Sequence, residues 1–419
     1  MPPRQRRLGY RLATVGLVFI GLLTLFPHPS EVARVAATPV TCLVCGDLGG
    51  VDVVLNILLF VPLGLGLGLA GFSWRRAVFL AGLLTFGIEL LQMKTIAGRD
   101  ASLSDIITNT AGGGLGAFVG LYWQRLLLPP PVPARLLALG YSLLLMGTWV
   151  GTAWAFGTTW PVDAPWYGQW APDLGGNFKP FLGKVLAVDA GGEPLLPGRA
   201  IDEERLEDAV AANPSMAVRA VLGPRPTRLA PVGAIYDERQ REVMLLGQDR
   251  QDLAFHPRMR ATLLKLWNPL VYLRDGMAGQ PGDTVDAEGS LRDGVFELNS
   301  RIGDRLLSRR LPLSASWGWA LITPWDSVLG EEVHSLTGMW IAGLVALLAY
   351  WSFLAGGASI AIVPATVAIL LGAVPYAAGF PPAHWSEWLA ALIGTGIGLF
   401  AASRARRAGD HAGGSEAVP

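Results

Sequence analysis

The residues best suited to chemistry lie in three short stretches of an otherwise apolar N-terminal region. The first reads Asp52-Val53-Val54-Leu55-Asn56-Ile57-Leu58-Leu59-Phe60-Val61-Pro62-Leu63-Gly64. Asp52, Asn56 and Phe60 fall at i, i+4 and i+8, on one helix face, and Pro62 removes a backbone donor and should kink that helix. The second stretch carries Glu89 and Gln92, at i and i+3. The third opens with Ser102, Ser104 and Asp105 and continues through Asn109, Gly112, Gly113, Gly116 and Gly120. Asp105 and Asn109 are one turn apart, and the glycines extend their stripe at a small-xxx-small spacing that admits a neighbouring backbone. Lys94, Arg99 and Asp100 fall between the second and third stretches. Carboxylates, amides and a guanidinium gathered in this way could hold an anionic or amide-bearing ligand. Arg99 would grip an anion, or pair with Glu89 or Asp105 in a fork-like contact. Glu89 is the best general base or proton site, with Arg99 and Asp105 beside it, if a reaction occurs. Asn56, Gln92, Asn109 and Asp52 would orient the ligand. The competing expectation is a buried polar clamp that only holds three helices together.

Cys42-Leu43-Val44-Cys45 lies just ahead of the first stretch. A C-x-x-C of this kind is either a small disulfide or a redox pair. A zinc site would need about two further ligands, and His28 is the only histidine nearby, so no metal is expected. His256, His334 and His384 read as isolated surface or interfacial residues. Gly64, Gly66 and Gly68 follow no strand–helix unit and form no dinucleotide loop. No cofactor is expected.

The elements that must position these residues are membrane helices. The chain has 419 residues, 51% hydrophobic and 16% charged, against about 25% charged in soluble domains. The formal net charge is zero, which offers no electrostatic footing for nucleic acid. A bilayer core of about 30 Å takes roughly 20 apolar residues per helix. Eight spans are expected: Gly9–Phe26, Val53–Phe72, Ala77–Met93, Leu103–Trp123, Leu136–Trp154, Thr337–Leu354, Ile360–Ala378 and Trp385–Ala402. The first has the basic leader of a signal peptide, Arg4, Arg6, Arg7 and Arg11, but a long apolar core and a poor cleavage site, so it reads as a retained helix. Arginines sort every short loop onto one topology. The N-terminus, Arg75 and Arg76, Arg125 and Arg135, and Arg404, Arg406 and Arg407 fall inside, while 156–335 falls outside. The expected location is a bacterial inner (cytoplasmic) membrane with both termini cytoplasmic. On this topology Asn56, Glu89, Gln92, Arg99, Asp105 and Asn109 converge near the outer leaflet, from three helices at matched depth. Ionisable residues at such depth usually face a bundle interior.

The outside segment is long enough for one core. Ile201–Ala212, acidic in its first turn, reads as a helix. Ala217–Leu222, Val232–Tyr236, Val243–Gly247, Leu253–His256 and Val295–Asn299 read as short strands between turn signals, which indicates a β-sandwich. No close acidic pair of the kind a glycosidase needs lies on one of these strands. Trp123, Trp149, Trp154, Trp340 and Trp385 fall near span ends, as an interfacial belt would. Trp154, Trp160, Trp166 and Trp170 are expected to pack this domain onto the membrane surface.

The pattern of Asn56 through Gly64, then Glu89 and Gln92, Arg99, Ser102, Asp105, Asn109 and Gly112 resembles the VanZ family over roughly Thr41–Trp123. That resemblance implies an integral membrane protein of the cell envelope, in a family whose founding member is linked to low-level resistance to the glycopeptide teicoplanin. It supplies no biochemical activity. The stretches Val232–Tyr236, Val243–Gln248 and Asp252–Phe255 look like paired strands of a laminin-G or concanavalin-like module. Leu311–Pro324, with Ser316-Trp317-Gly318-Trp319-Ala320, looks like its exit toward the next helix. The expected architecture is a polytopic α-helical membrane protein of about eight helices with an extracytoplasmic β-sandwich. Residues 1–40 form a helix and outer loop, 41–155 a VanZ-like domain, 156–335 the sandwich, 336–403 three further helices and 404–419 a cytoplasmic tail. The expected partners are the bilayer and an envelope lipid, glycan or glycopeptide, with no nucleic acid. A non-catalytic receptor or scaffold is the rival reading. A transporter ranks lower, because no internal repeat or paired broken helices are apparent.

Overall fold

The structure, a computed structural model, describes residues 3–25, 41–44, 46–95, 102–176, 178–196, 203–323 and 333–414. Five helices come first: α1 (Pro3–Leu25), α2 (Gly49–Ala70), α3 (Trp74–Thr95), α4 (Leu103–Leu127) and α5 (Pro131–Ala155). After the strands come α7 (Val333–Ala355), α8 (Ile362–Ala368), α9 (Val374–Ala377) and α10 (Trp385–Gly414), with α6 (Glu203–Ala212) inside the strand region. Seven segments among the described residues are long and apolar enough to cross a membrane, one fewer than expected. The one that falls short is α4. It has 25 residues, ample length, but Ser104, Asp105, Thr108, Asn109 and its glycines dilute its apolarity. α2 runs through Pro62 as one helix. The span Gly357–Ala377 is irregular, passing from a 3-10 turn through α8 and a π segment (Ile369–Ala373) into α9. Pro375 denies Leu371 its usual i+4 donor there.

Glycines set the distances between helices. A Cβ on Gly112, Gly116 or Gly120 of α4 would collide with the carbonyl oxygens of Ile57, Val61 and Leu65 of α2, which runs parallel to it. Gly9 and Gly66 play the same part between α1 and α2. Without a hydrophobic drive between helices in lipid, such backbone approach is what bonds them. α5 leaves the first four helices and packs with the last three spans. Ser142 shares a 2.7 Å hydroxyl hydrogen bond with Thr366, and the rings of Tyr141 and Trp351 meet edge to face. Five-plus-three in sequence is therefore four-plus-four in packing.

Among the described residues, eleven strands form two antiparallel sheets. The first, in the order β1-β5-β6-β7-β8, joins Trp166–Trp170, Leu229–Asp237, Glu242–Asp249, Asp252–Pro257 and Val271–Leu273. The second runs β11-β10-β9-β4-β2-β3, joining Arg305–Pro312, Val295–Ile302, Thr284–Arg292, Ser215–Val221, Lys184–Ala190 and Glu193–Leu195. Their facing sides interdigitate at Phe255 and Phe296, whose centroids lie 6.3 Å apart, and Gly289 leaves room for the Phe255 ring. This is the expected sandwich. α6 buries Leu206 and Val210, one turn apart, in the same core; Ile201 and Asp202 lie outside the described residues.

The tryptophans differ from expectation. Trp166 is buried in the sandwich core, with Trp160 and Trp170 packed against that core. Trp166 donates to the Pro161 carbonyl and Trp170 to that of Leu195. They fill the domain instead of facing lipid: the indole N–H groups of Trp166 and Trp170 find carbonyls inside it, and the Trp160 ring packs against Trp166. Trp149, expected at the interface, is also buried and donates to Ser316 Oγ at 3.2 Å.

Candidate functional site

The polar cluster assembles where α2 and α4 begin and α3 ends. Ser102 caps α4, its hydroxyl accepting from the Ser104 amide, as an N-cap serine does. That cap presents the Ser102 amide to Glu89 on α3, and Glu89 Oε2 accepts it at 2.9 Å. One turn into α4, Asp105 Oδ1 accepts from Asn56 Nδ2 of α2 at 2.7 Å. A further turn in, Asn109 Nδ2 donates to Thr85 Oγ1 of α3 at 2.9 Å. Glu89, Asn109 and Thr85 are buried, while Asn56 and Asp105 are half-buried. Asn109 Oδ1 is buried with no hydrogen-bond partner among the described residues. Gln92, also buried, turns away from this group and donates to the Thr24 carbonyl at the end of α1.

Thus Asn56, Glu89, Asp105 and Asn109 stand together on three helices, while Gln92 ties α3 to α1. Asp52 stays exposed in the first turn of α2. Arg99 lies outside the described residues, as does Cys45. Cys42 is disulfide-bonded. Thr85, unmarked in sequence, is the partner that spacing alone does not single out.

The loop around Cys42 bridges the cluster to the sandwich. Ser104 Oγ donates to the Leu43 carbonyl at 2.6 Å, and Lys265 Nζ of the sandwich donates to that of Val44 at 2.6 Å. The Lys265 carbonyl in turn accepts from the amides of Gly50 and Val51 at 3.1 and 3.3 Å, covering free donors of the first turn of α2.

A second buried carboxylate went unmarked in sequence. Glu387, near the start of α10, accepts from Ser316 Oγ at 2.7 Å and Ser314 Oγ at 3.1 Å. Both serines follow β11, so Glu387 clasps the sandwich's exit to the C-terminal helices. Close by, His334 and His384 are not isolated: their rings stack at 4.3 Å. His256 is likewise engaged, with Nδ1 on Glu242 and Nε2 on the Asn268 carbonyl. No metal-binding group of His, Cys, Asp and Glu occurs among the described residues.

In comparisons with known proteins, residues 12–126 match the model of the VanZ/LLP1 family. The match runs from within α1 to the last turn of α4 and so covers the three helices that build the polar cluster. No curated protein and no solved structure matches the chain.

Proposed function

We propose that the chain is a VanZ-like protein acting at the cell envelope, in glycopeptide (teicoplanin) resistance. Its outer polar cluster is the pocket, open to the outside, that engages an envelope lipid, a lipid-linked precursor or the glycopeptide itself. Arg99 holds an anion, Asn56, Asn109 and Asp52 orient the ligand, and Glu89 with Asp105 handles any proton transfer, while Gln92 braces α3 against the end of α1. The observation that supports this over a mere clamp is Asn109. A clamp would satisfy its own buried groups, yet Asn109 Oδ1 is buried and unpartnered among the described residues, and such groups call for an explanation. The sandwich, read as a laminin-G or concanavalin-like module, presents or recognises glycan or protein. The Lys265 clasp favours that receptor role as a second reading, because it ties the sandwich to the loop over the pocket.

The test is glycopeptide sensitivity and envelope-lipid content in cells carrying wild type, Glu89→Gln or Arg99→Ala at matched membrane expression. Both variants are expected to lose the wild-type effect while remaining folded. If neither differs from wild type, the cluster is a clamp and the pocket reading fails. A receptor without chemistry would tolerate Glu89→Gln but not Arg99→Ala.

A further inference from the structure

At the arginine-bearing end of the helices, opposite the polar cluster, a groove of about 580 Å³ opens between the two helical groups. Trp123, Arg125 and Leu128 at the end of α4, Pro130 in the linker, Tyr350 of α7 and Ala405 of α10 form its walls. We propose that this groove binds the headgroup of an anionic phospholipid, with the phosphate on Arg125 and the first acyl carbons against Leu128 and Trp123.

Charge makes the first argument. Arg75, Arg76, Arg125, Arg135, Arg404, Arg406 and Arg407 all lie at this end, where an anionic leaflet would meet them. The neighbours of Arg125 are already engaged. Arg135 Nε donates to Ser359 Oγ at 3.0 Å, and Arg406 Nη2 donates to the Phe353 and Leu354 carbonyls at 2.8 Å. Arg125 enters none of the salt bridges among the described residues; its guanidinium lies 5.7 Å from the Tyr122 ring of its own helix. The second argument is donor supply. Pro129, Pro130, Pro131 and Pro133 carry no N–H, and the Ala134 amide is taken by the Pro130 carbonyl, so the first turn of α5 keeps only the Val132 amide and serves an anion poorly compared with an ordinary helix N-terminus. Of the groove's lining residues, Arg125 alone carries a positive charge, with the Gln124 amide beside it as a neutral donor. The third is acceptor removal. Tyr350 Oη and Trp351 Nε1 donate to the carbonyls of Leu127 and Leu126, which quiets the negative end of α4 beside the groove. An apolar wall next to one cation, at headgroup level between aromatic residues, fits a phospholipid better than a free phosphate.

The test is native mass spectrometry of the full chain in neutral detergent, titrated with phosphatidylglycerol or phosphatidylcholine. The wild type is expected to retain phosphatidylglycerol preferentially, and inorganic phosphate should not displace it. Arg125→Gln should lower the retained fraction about fivefold, the contribution of about one basic residue at a headgroup. Ala405→Trp, which fills the groove and keeps the charge, should lower it as well, and carries the test if Arg125→Gln does not fold. Arg407→Gln, outside the groove, should retain the wild-type amount. Equal retention of the two lipids, displacement by phosphate, wild-type retention in Ala405→Trp, or an equal loss in Arg407→Gln would overturn the proposal.

Discussion

A buried carboxylate persists only where donors meet it, and Glu387, buried in the first turn of α10, has two serine hydroxyls. Replacing it with alanine leaves both hydroxyls buried without an acceptor, at a cost of about 1–3 kcal/mol for each. Glu387→Ala should therefore lower the thermal midpoint of the detergent-solubilised protein clearly, and Glu387→Gln, which keeps one acceptor oxygen, should lower it less. Scanning fluorimetry of both variants checks the order; equal midpoints, or the reverse order, would show that the serines draw nothing from this carboxylate. The same residue marks how far side-chain chemistry was legible. Asn56, Asp105 and Asn109 declare a shared surface because helical spacing puts one-turn neighbours together. Glu387 gives no such sign, since its partners stand 71 and 73 residues away in sequence. Glu89 is a case between these: its position was readable, but its acceptor role depends on a backbone amide freed by the cap at Ser102, which no residue type announces.

Between elements, α4 rests on α2 through glycine. Because a Cβ at Gly116 would run into the Val61 carbonyl and the Leu65 amide, Gly116→Ala must push the two helices apart, where Gly140→Ala of α5 meets nothing within 4 Å. Relieved of steric cost, the second change should be neutral or gain about 1 kcal/mol of helix propensity, while the first should reduce the monodisperse fraction on size-exclusion chromatography and separate Asn56 from Asp105. Matching elution profiles for the two variants would contradict the packing account. The glycine stripe was readable as a contact surface because its spacing is the message. α4 nevertheless falls short as an apolar span, since the same glycines and polar residues that make the contact lower its apolarity. Among the strands, β4, β5, β6, β7 and β10 were legible from apolar runs and turn residues. β11 was not, because as an edge strand it exposes Arg305, Leu306, Ser308 and Arg310 on both faces and erases the alternation. β2 was hidden by the register shift between Val185 and Ala187, which breaks its period of two.

Over the whole molecule, the contacts between sandwich and helices all gather at one end. Lys265 meets Val44 and the start of α2, Glu387 holds Ser314 and Ser316, and a Cβ on Gly318 would touch Thr152 near the end of α5. The short-loop arginines gather at the other end. Helix directions agree: α2 and α4 run parallel, and so do α7 and α10, where Gly394 and Gly398 abut Ala342 and Ala346. The sandwich contacts and the short-loop arginines thus mark opposite ends of the apolar helices, and the excess of arginine at one end is the basis for expecting that end on the cytoplasmic face. The packing also explains why α5, distinct in sequence from the last three spans, sides with them: its C-terminal end is fixed through Trp149 to the same Ser316 that Glu387 holds. From this follows a labelling prediction. Leu306, 72% exposed at the β10–β11 turn, becomes Leu306→Cys in one variant, and Arg407 becomes Arg407→Cys in another. The native Cys42 is disulfide-bonded and offers no competing thiol. A membrane-impermeant maleimide applied to intact spheroplasts should label Leu306→Cys at once and Arg407→Cys only after permeabilisation. Labelling of Arg407→Cys alone would invert the topology and place the polar cluster against the cytoplasm, away from any glycopeptide. Labelling of both before permeabilisation would deny that the helices between them cross the membrane an odd number of times, and with it the assignment of the sandwich to one face and the arginines to the other.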